Sequence, residues 1–258
     1  MSKVLVIAGT TDAKAVIKKL LEMNHDTAVT VTTRMGGGML EEFENLDIYQ
    51  GKLNKDHITQ LIRILNPACL IDASNPFSSE VTRNAINVCK CEALPYLRFE
   101  RERVSYEDDP EINSVKNYGE ACDQLINCEG NILLTLGSNK IEIFTKIPNF
   151  QERVYLRVLP DWKVLCKCEK LGFNPKNIIA IKGPYNEALN IELFKYCNAS
   201  VLVTKESGNM GGVVDKINAA KKLGMKIILV DRIEACCSNK FNSIEELLKC
   251  VDRIDANH

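Results

Sequence analysis

The sequence predicts an α/β fold: two Rossmann-like domains, each a parallel sheet flanked by helices, with a cleft between them. Short apolar runs alternate with helix-period stretches along the whole chain. Most of these runs end in polar, often glycine-bearing loops that lead into a helix, as βα turns of a parallel sheet do. Residues 70–101 and 201–232 also align without gaps. Each reads strand, polar loop, helix with a central Ile-Asn pair (Ile86-Asn87, Ile217-Asn218), then a strand ending near an arginine.

The first domain, 1–110, opens with the apolar run 4–8, the loop Gly9-Thr10-Thr11-Asp12 and a helix over 13–23. A strand over 27–33 runs into Gly36-Gly37-Gly38, and a short strand over 46–49 into Gly51-Lys52-Leu53 and a helix over 56–65. Strand 69–72, loop 74–79, helix 80–91 and strand 95–99 complete it. Asp108-Asp109-Pro110, within the polar stretch 107–116, breaks regular structure and marks the boundary. The second domain, 111–258, has strands over 132–136, 153–158, 177–181, 200–204 and 226–230, and a final helix over 244–254.

With 258 residues and 45% hydrophobic side chains, the chain can bury the cores of two such units. A net charge of −1 gives no global attraction to nucleic acid or to an anionic membrane, so an anionic ligand needs local positive charge. No apolar run approaches a membrane span of about 20 residues. The start, Met1-Ser2-Lys3, lacks signal-peptide architecture. Eleven cysteines without C-x-x-C or a zinc-type spacing read as reduced thiols in a cytoplasmic protein with no metal site. The histidines His25, His57 and His258 lie outside every loop of interest, which argues against a histidine-based hydrolase.

Several loops carry ligand-binding chemistry. Gly9, Thr10 and Thr11 form a strand-to-helix loop that either seats a pyrophosphate on free N–H groups or is an ordinary capped turn. At the next strand end Thr33-Arg34 stands where NAD binders have an acid. Arg34 either meets the 2′-phosphate of NADP or is a solvated surface charge. Gly51 ends the third strand, and Ser74-Asn75-Pro76 ends the fourth, where Pro76 holds Asn75 extended. In the second domain Ser138 and Arg157 lie at strand ends. Two loops, Lys182-Gly183-Pro184-Tyr185 and Lys205-Glu206-Ser207-Gly208, put lysines and glycines at the carboxyl edge. With Lys216 one turn inside the following helix, they suit a ligand bearing several carboxylates.

Taken together, the chain resembles the precorrin-6A reductases of cobalamin biosynthesis over nearly its whole length. The residues that carry the resemblance are Gly9-Thr10-Thr11-Asp12-Ala13, Asp72-Ala73-Ser74-Asn75-Pro76-Phe77, Leu97-Arg98-Phe99-Glu100-Arg101 and Arg157-Val158-Leu159-Pro160. Lys182-Gly183-Pro184-Tyr185 with Asn190, and Val203 to Gly208 leading to Lys216 and Ala219-Ala220, complete the set. The resemblance implies NADPH-dependent reduction of one double bond of precorrin-6A, or its cobalt form, to precorrin-6B. Joined to the loops read above, this puts NADPH on the first domain (Gly9, Thr10, Thr11, Thr33, Arg34, Gly51, Asn75, Pro76) and the tetrapyrrole on the second. The tetrapyrrole set is Ser138, Arg157, Lys182, Gly183, Pro184, Tyr185, Lys205, Ser207, Gly208 and Lys216. No residue stands out as proton donor. The protein is expected to be a monomer that hands intermediates to neighbouring pathway enzymes.

Two departures stand against the family pattern. Asn75-Pro76-Phe77-Ser78 replaces the usual His-Pro-Phe-Ala, and Glu102 and Val104 stand where Pro and Trp are common. Two rival readings keep the fold without this chemistry: a nonenzymatic NADP-binding sensor and a nucleotide-sugar-type transferase. Lys182 and Lys205 discriminate: a sensor has no need of a second-domain edge for a polyanion, and a transferase usually wants a general base facing an acceptor.

Overall fold

The computed structural model describes residues 3–32, 37–38, 40–43, 46–106, 109–208, 212–232, 237 and 239–256. They form two compact units, Met1–Glu102 with Glu234–His258, and Arg103–Ile233.

The first unit begins with strands β1 (Val4–Ile7), β2 (Thr27–Val31), β3 (Asp47–Gln50), β4 (Cys69–Asp72) and β5 (Tyr96–Phe99), all parallel, in the order β3-β2-β1-β4-β5. The central strands β1, β2 and β4 are buried along their full length, as a sheet covered on both faces requires. Edge strand β3 is largely exposed. Helices α1 (Thr11–Glu22), α2 (Lys55–Leu65) and α3 (Ser79–Cys91) make the crossovers. Strand order reverses between β1 and β4, so the loops after these two strands flank the crevice where ligands of such sheets bind.

The second unit repeats this plan with β6 (Ile112–Val115), β7 (Asn131–Leu134), β8 (Val154–Val158), β9 (Ile178–Ala180), β10 (Ala199–Lys205) and β11 (Lys226–Val230). All pairings are parallel, in the order β9-β8-β7-β10-β11-β6. Its helices are α4 (Tyr118–Ile126), the short α5 (Phe150–Arg153), α6 (Trp162–Lys170), α7 (Glu187–Tyr196) and α8 (Val213–Lys222). The reversal now lies between β7 and β10. Strands β4 and β10 occupy equivalent places, as do β5 and β11, which matches the gapless alignment of 70–101 with 201–232.

The chain then returns to the first unit. Strand β12 (Lys240–Phe241) pairs in parallel with β5, and helix α9 (Ile244–Asp255) buries Leu247, Leu248 and Val251 in the core that holds Val16, Ile17 and Leu20 of α1. The sequence reading put all of 111–258 in the second domain. The structure instead joins the C-terminal strand and helix to the first unit. The amphipathic period of 244–254 reveals a buried face but not which sheet covers it, and that choice is tertiary. The same holds for β6, a strand inside the stretch read as a boundary. Only Ile112 and Val115 of its four residues are buried, so it carries little strand signal, and β11 supplies the pairing.

Candidate functional site

In the first unit, β1 delivers the chain to Gly9, whose φ of +120° is one that residues with a Cβ rarely adopt. A Cβ built there would meet nothing within 4 Å, so the space over this loop is open. Thr10 caps α1: its hydroxyl accepts from the Ala13 N–H at 3.0 Å and donates to the Ala73 carbonyl at 3.0 Å. That hydroxyl therefore ties the β1 loop to the β4 loop across the crevice. Thr11, the next residue, is exposed at the helix N-terminus. Asp12 in the same turn pairs with Arg101 at 2.5 Å.

On the other side of the crevice, Asn75 is exposed and Pro76 half-buried. The Asn75 side chain accepts from the Phe77 N–H at 2.9 Å, closing a small turn. Gly51 has a packing reason of its own: a Cβ there would lie 2.7 Å from the His57 ring. Thr33 and Arg34 lie outside the described residues.

Beneath this edge sits a buried ionic cluster that no spacing in the sequence announces. Asp72 is fully buried at the end of β4 and accepts from Thr82 and Tyr96 at 2.8 Å each and from the Ser74 N–H at 3.0 Å. Arg98, 2% exposed, pairs with it at 2.8 Å. Burial and the neighbouring Asp72 carboxylate push the Tyr96 phenol far up, so it stays a donor. Asp72 and Arg98 both lie within the stretches of family resemblance, and the structure gives them a supporting role beneath the loop.

The second unit builds its edge from cations. Arg157, half-buried near the end of β8, donates to the Asn190 side-chain oxygen at 2.7 Å and lies 5.5 Å over the Tyr185 ring. Asn190, in the first turn of α7, returns its amide hydrogens to the carbonyls of Tyr185 at 3.1 Å and Asn186 at 2.8 Å. Lys216, on α8, is only 6% exposed. Burial, then the nearby charges of Arg157 and Lys205, push its ammonium down to about 7. Lys205, at the end of β10, is pushed down to about 8 by burial. Burial likewise pushes Arg157 down, to about 10, against the opposing influence of Tyr185 and Cys197. The charges acting on Lys216 are thus both positive. Arg157 and Lys205 both act on Lys216 in a partly dehydrated place, an arrangement whose chemistry suits an anion.

The remaining predicted residues separate. Lys182, Gly183 and Pro184 are exposed on the loop after β9. A Cβ on Gly212, whose φ is +66°, would approach Pro184 to 3.1 Å, so this loop abuts the start of α8. Ser138 is half-buried, and its carbonyl accepts from Lys167 at 2.9 Å. Ser207 is half-buried and Gly208 buried. The Gly208 N–H donates to Glu206 at 2.9 Å, and Glu206 pairs with the buried Arg232, so Gly208 serves the turn. Asn190 lay in the family motif but was not counted among the site residues. A polar residue at a buried helical position was its one signal.

The comparisons with known proteins fit this arrangement. The family model described as Precorrin-6x reductase CbiJ/CobK matches residues 3–252. The chain belongs to the precorrin-6x reductase family. Among its relatives, the cobalt-precorrin-6A reductase of Priestia megaterium is 34% identical, covering 95% of this chain and 96% of that one. The cobalt-precorrin-6A reductase of Methanothermobacter thermautotrophicus is 33% identical, covering 97% and 84%. The solved structure of CobK precorrin-6A reductase superposes with a TM-score of 0.80 over 98% of each chain, at 20% identity, so this precorrin-6x reductase shares its fold. Among the described residues no group of three His, Cys, Asp or Glu side chains is placed to hold a metal ion, and no helix is long and apolar enough to cross a membrane.

Proposed function

We propose that this protein uses NADPH to reduce one double bond of cobalt-precorrin-6A, giving cobalt-precorrin-6B, in corrin-ring synthesis. The observation that carries the reading is family membership over residues 3–252, joined to a second-unit edge whose clustered charges are cations. NADPH supplies the hydride when bound. The open loop at Gly9 and the exposed Thr11 at the start of α1 fit a pyrophosphate, with the 2′-phosphate assigned to Arg34. Asn75 and Pro76 border the same crevice. Arg157, Lys205 and Lys216, with Lys182 on the neighbouring loop, hold the acetate and propionate arms of the ring. The protein's part is then to position the reacting carbon and stabilise charge around it.

The cobalt form is favoured because the two relatives named above carry that name and because a cysteine-rich chain suits a reducing interior. Incubation with NADPH and either the cobalt or the metal-free substrate, followed by absorbance, tests both parts. Faster turnover of the cobalt substrate is expected. Preference for the metal-free ring would overturn the metal assignment, and no turnover of either would overturn the function. The same reading makes the protein a cytoplasmic monomer, for which sedimentation at working concentration is the check.

A further inference from the structure

We propose that Asn190 is the residue that sets the charge of the anion pocket: it fixes the Arg157 guanidinium in place without neutralising it. The inference rests on the reading of this edge as the tetrapyrrole site. The two fully buried arginines among the described residues are each tied to an acid, Arg98 to Asp72 and Arg232 to Glu206. Arg157 instead bonds an amide oxygen at 2.7 Å, and no acid among the described residues pairs with it.

Asn190 suits this task for reasons of hydrogen-bond capacity. It is 1% exposed, so every polar atom it has must be matched inside the protein. Its two amide hydrogens go to the Tyr185 and Asn186 carbonyls, which leaves the oxygen facing Arg157 and fixes which end points where. The same side chain therefore clips the loop before α7 to the guanidinium, and Tyr185 on that loop lies beneath it at 5.5 Å. An aspartate of equal size would convert Arg157 into an ion pair. The field at Lys216, now raised by Arg157 and Lys205, would fall with it.

The test compares Asn190→Asp with the neutral, similarly sized Asn190→Leu. For Asn190→Asp, KM for cobalt-precorrin-6A should rise about tenfold or more. Its dependence on ionic strength should flatten, because one cation has left the pocket, while NADPH affinity stays at the wild-type value. For Asn190→Leu, KM should rise less and the salt dependence should remain as steep as in wild type. Equal KM and equal salt dependence in the two variants would mean that Asn190 acts by packing alone, and the proposal would be overturned. If Asn190→Asp does not fold, Arg157→Gln takes its place: it must flatten the salt dependence where Asn190→Leu does not, and equal slopes overturn the idea. Calorimetric binding of citrate to the same proteins reads the pocket's charge without turnover. A wild type inactive on the tetrapyrrole would then sink the functional reading, while the citrate slopes still decide the role of Asn190.

Discussion

Lys216, assigned above to the proposed anion site, should cost the fold stability. Its ammonium is pushed down to about 7 in the folded protein from an ordinary 10.5. Between those values the unfolded chain holds a proton that the folded chain has released, so stability rises with pH across that window. Below pH 7 the buried charge costs its full amount. Lys216→Met should therefore stabilise the protein at pH 6, by on the order of 2–4 kcal/mol, with the gain gone above pH 10.5. Urea unfolding at the two extremes measures it. The same variant should raise KM for the tetrapyrrole. In the wild type a bound carboxylate favours the charged lysine, so KM should be flat below pH 7 and rise above it; a KM independent of pH from 6 to 9 would contradict the anion site. At the cofactor end, Arg34 should make NADPH bind roughly tenfold to a hundredfold more tightly than NADH, through a charge-assisted contact of about 1.5–3 kcal/mol. Titration of both cofactors against wild type and Arg34→Ala checks this, and equal wild-type affinities would remove Arg34 from the site.

At the scale of elements, adjacent threonines at the start of α1 have separable jobs. The Thr10 hydroxyl is used twice by the fold, as the cap of α1 and as donor to Ala73. Thr10→Ala should cost about 1–2 kcal/mol of stability. Thr11 is exposed and makes no cap, so Thr11→Ala should leave stability within about 0.5 kcal/mol while weakening NADPH binding. Denaturant midpoints with cofactor titrations separate the two effects, and a Thr11→Ala protein with unchanged NADPH affinity would restrict the loop's role to its backbone. Helix α7 makes the same point in the second unit. Asn186 caps it through the Leu189 N–H at 3.0 Å, and its carbonyl also accepts from Asn190, so the helix start and the Arg157 site are one piece.

For the whole molecule, the order of strands in space departs from their order in the chain. The first unit's sheet is finished by β12, which follows the entire second unit, while β6 enters the second sheet beside β11. The first unit thus depends on residues far away in sequence. Leu247, Leu248 and Val251 of α9 are buried against α1 and the sheet, and His25 meets Asp252 at 3.1 Å. A fragment ending at Glu102 should fail to fold, because burying three such side chains is worth roughly 1.5–3 kcal/mol each and a unit's net stability is only about 5–15 kcal/mol. Circular dichroism and amide exchange would show this, and a cooperatively folded 1–102 fragment would refute it.

The sequence by itself determined the fold class, the strands that are apolar throughout, and the lysines and glycines at their carboxyl ends. Local period and turn chemistry are written into neighbouring residues, so Val4 to Gly9 or Val201 to Lys205 can be read where they stand. The run of motifs from Gly9 to Ala220 was also enough to identify the family. Tertiary structure decided what depends on distant partners. It placed 240–255 with the first unit, because an amphipathic helix and a short edge strand do not encode which sheet they join. It committed the Thr10 hydroxyl to the fold, because that donor is spent only when an acceptor such as the Ala73 carbonyl arrives from elsewhere. It also brought Arg157 and Lys205 near enough to act on Lys216, and gave Arg157 an amide for a partner. Charge is a property of each residue, but whether it is cancelled is settled only by what packs beside it.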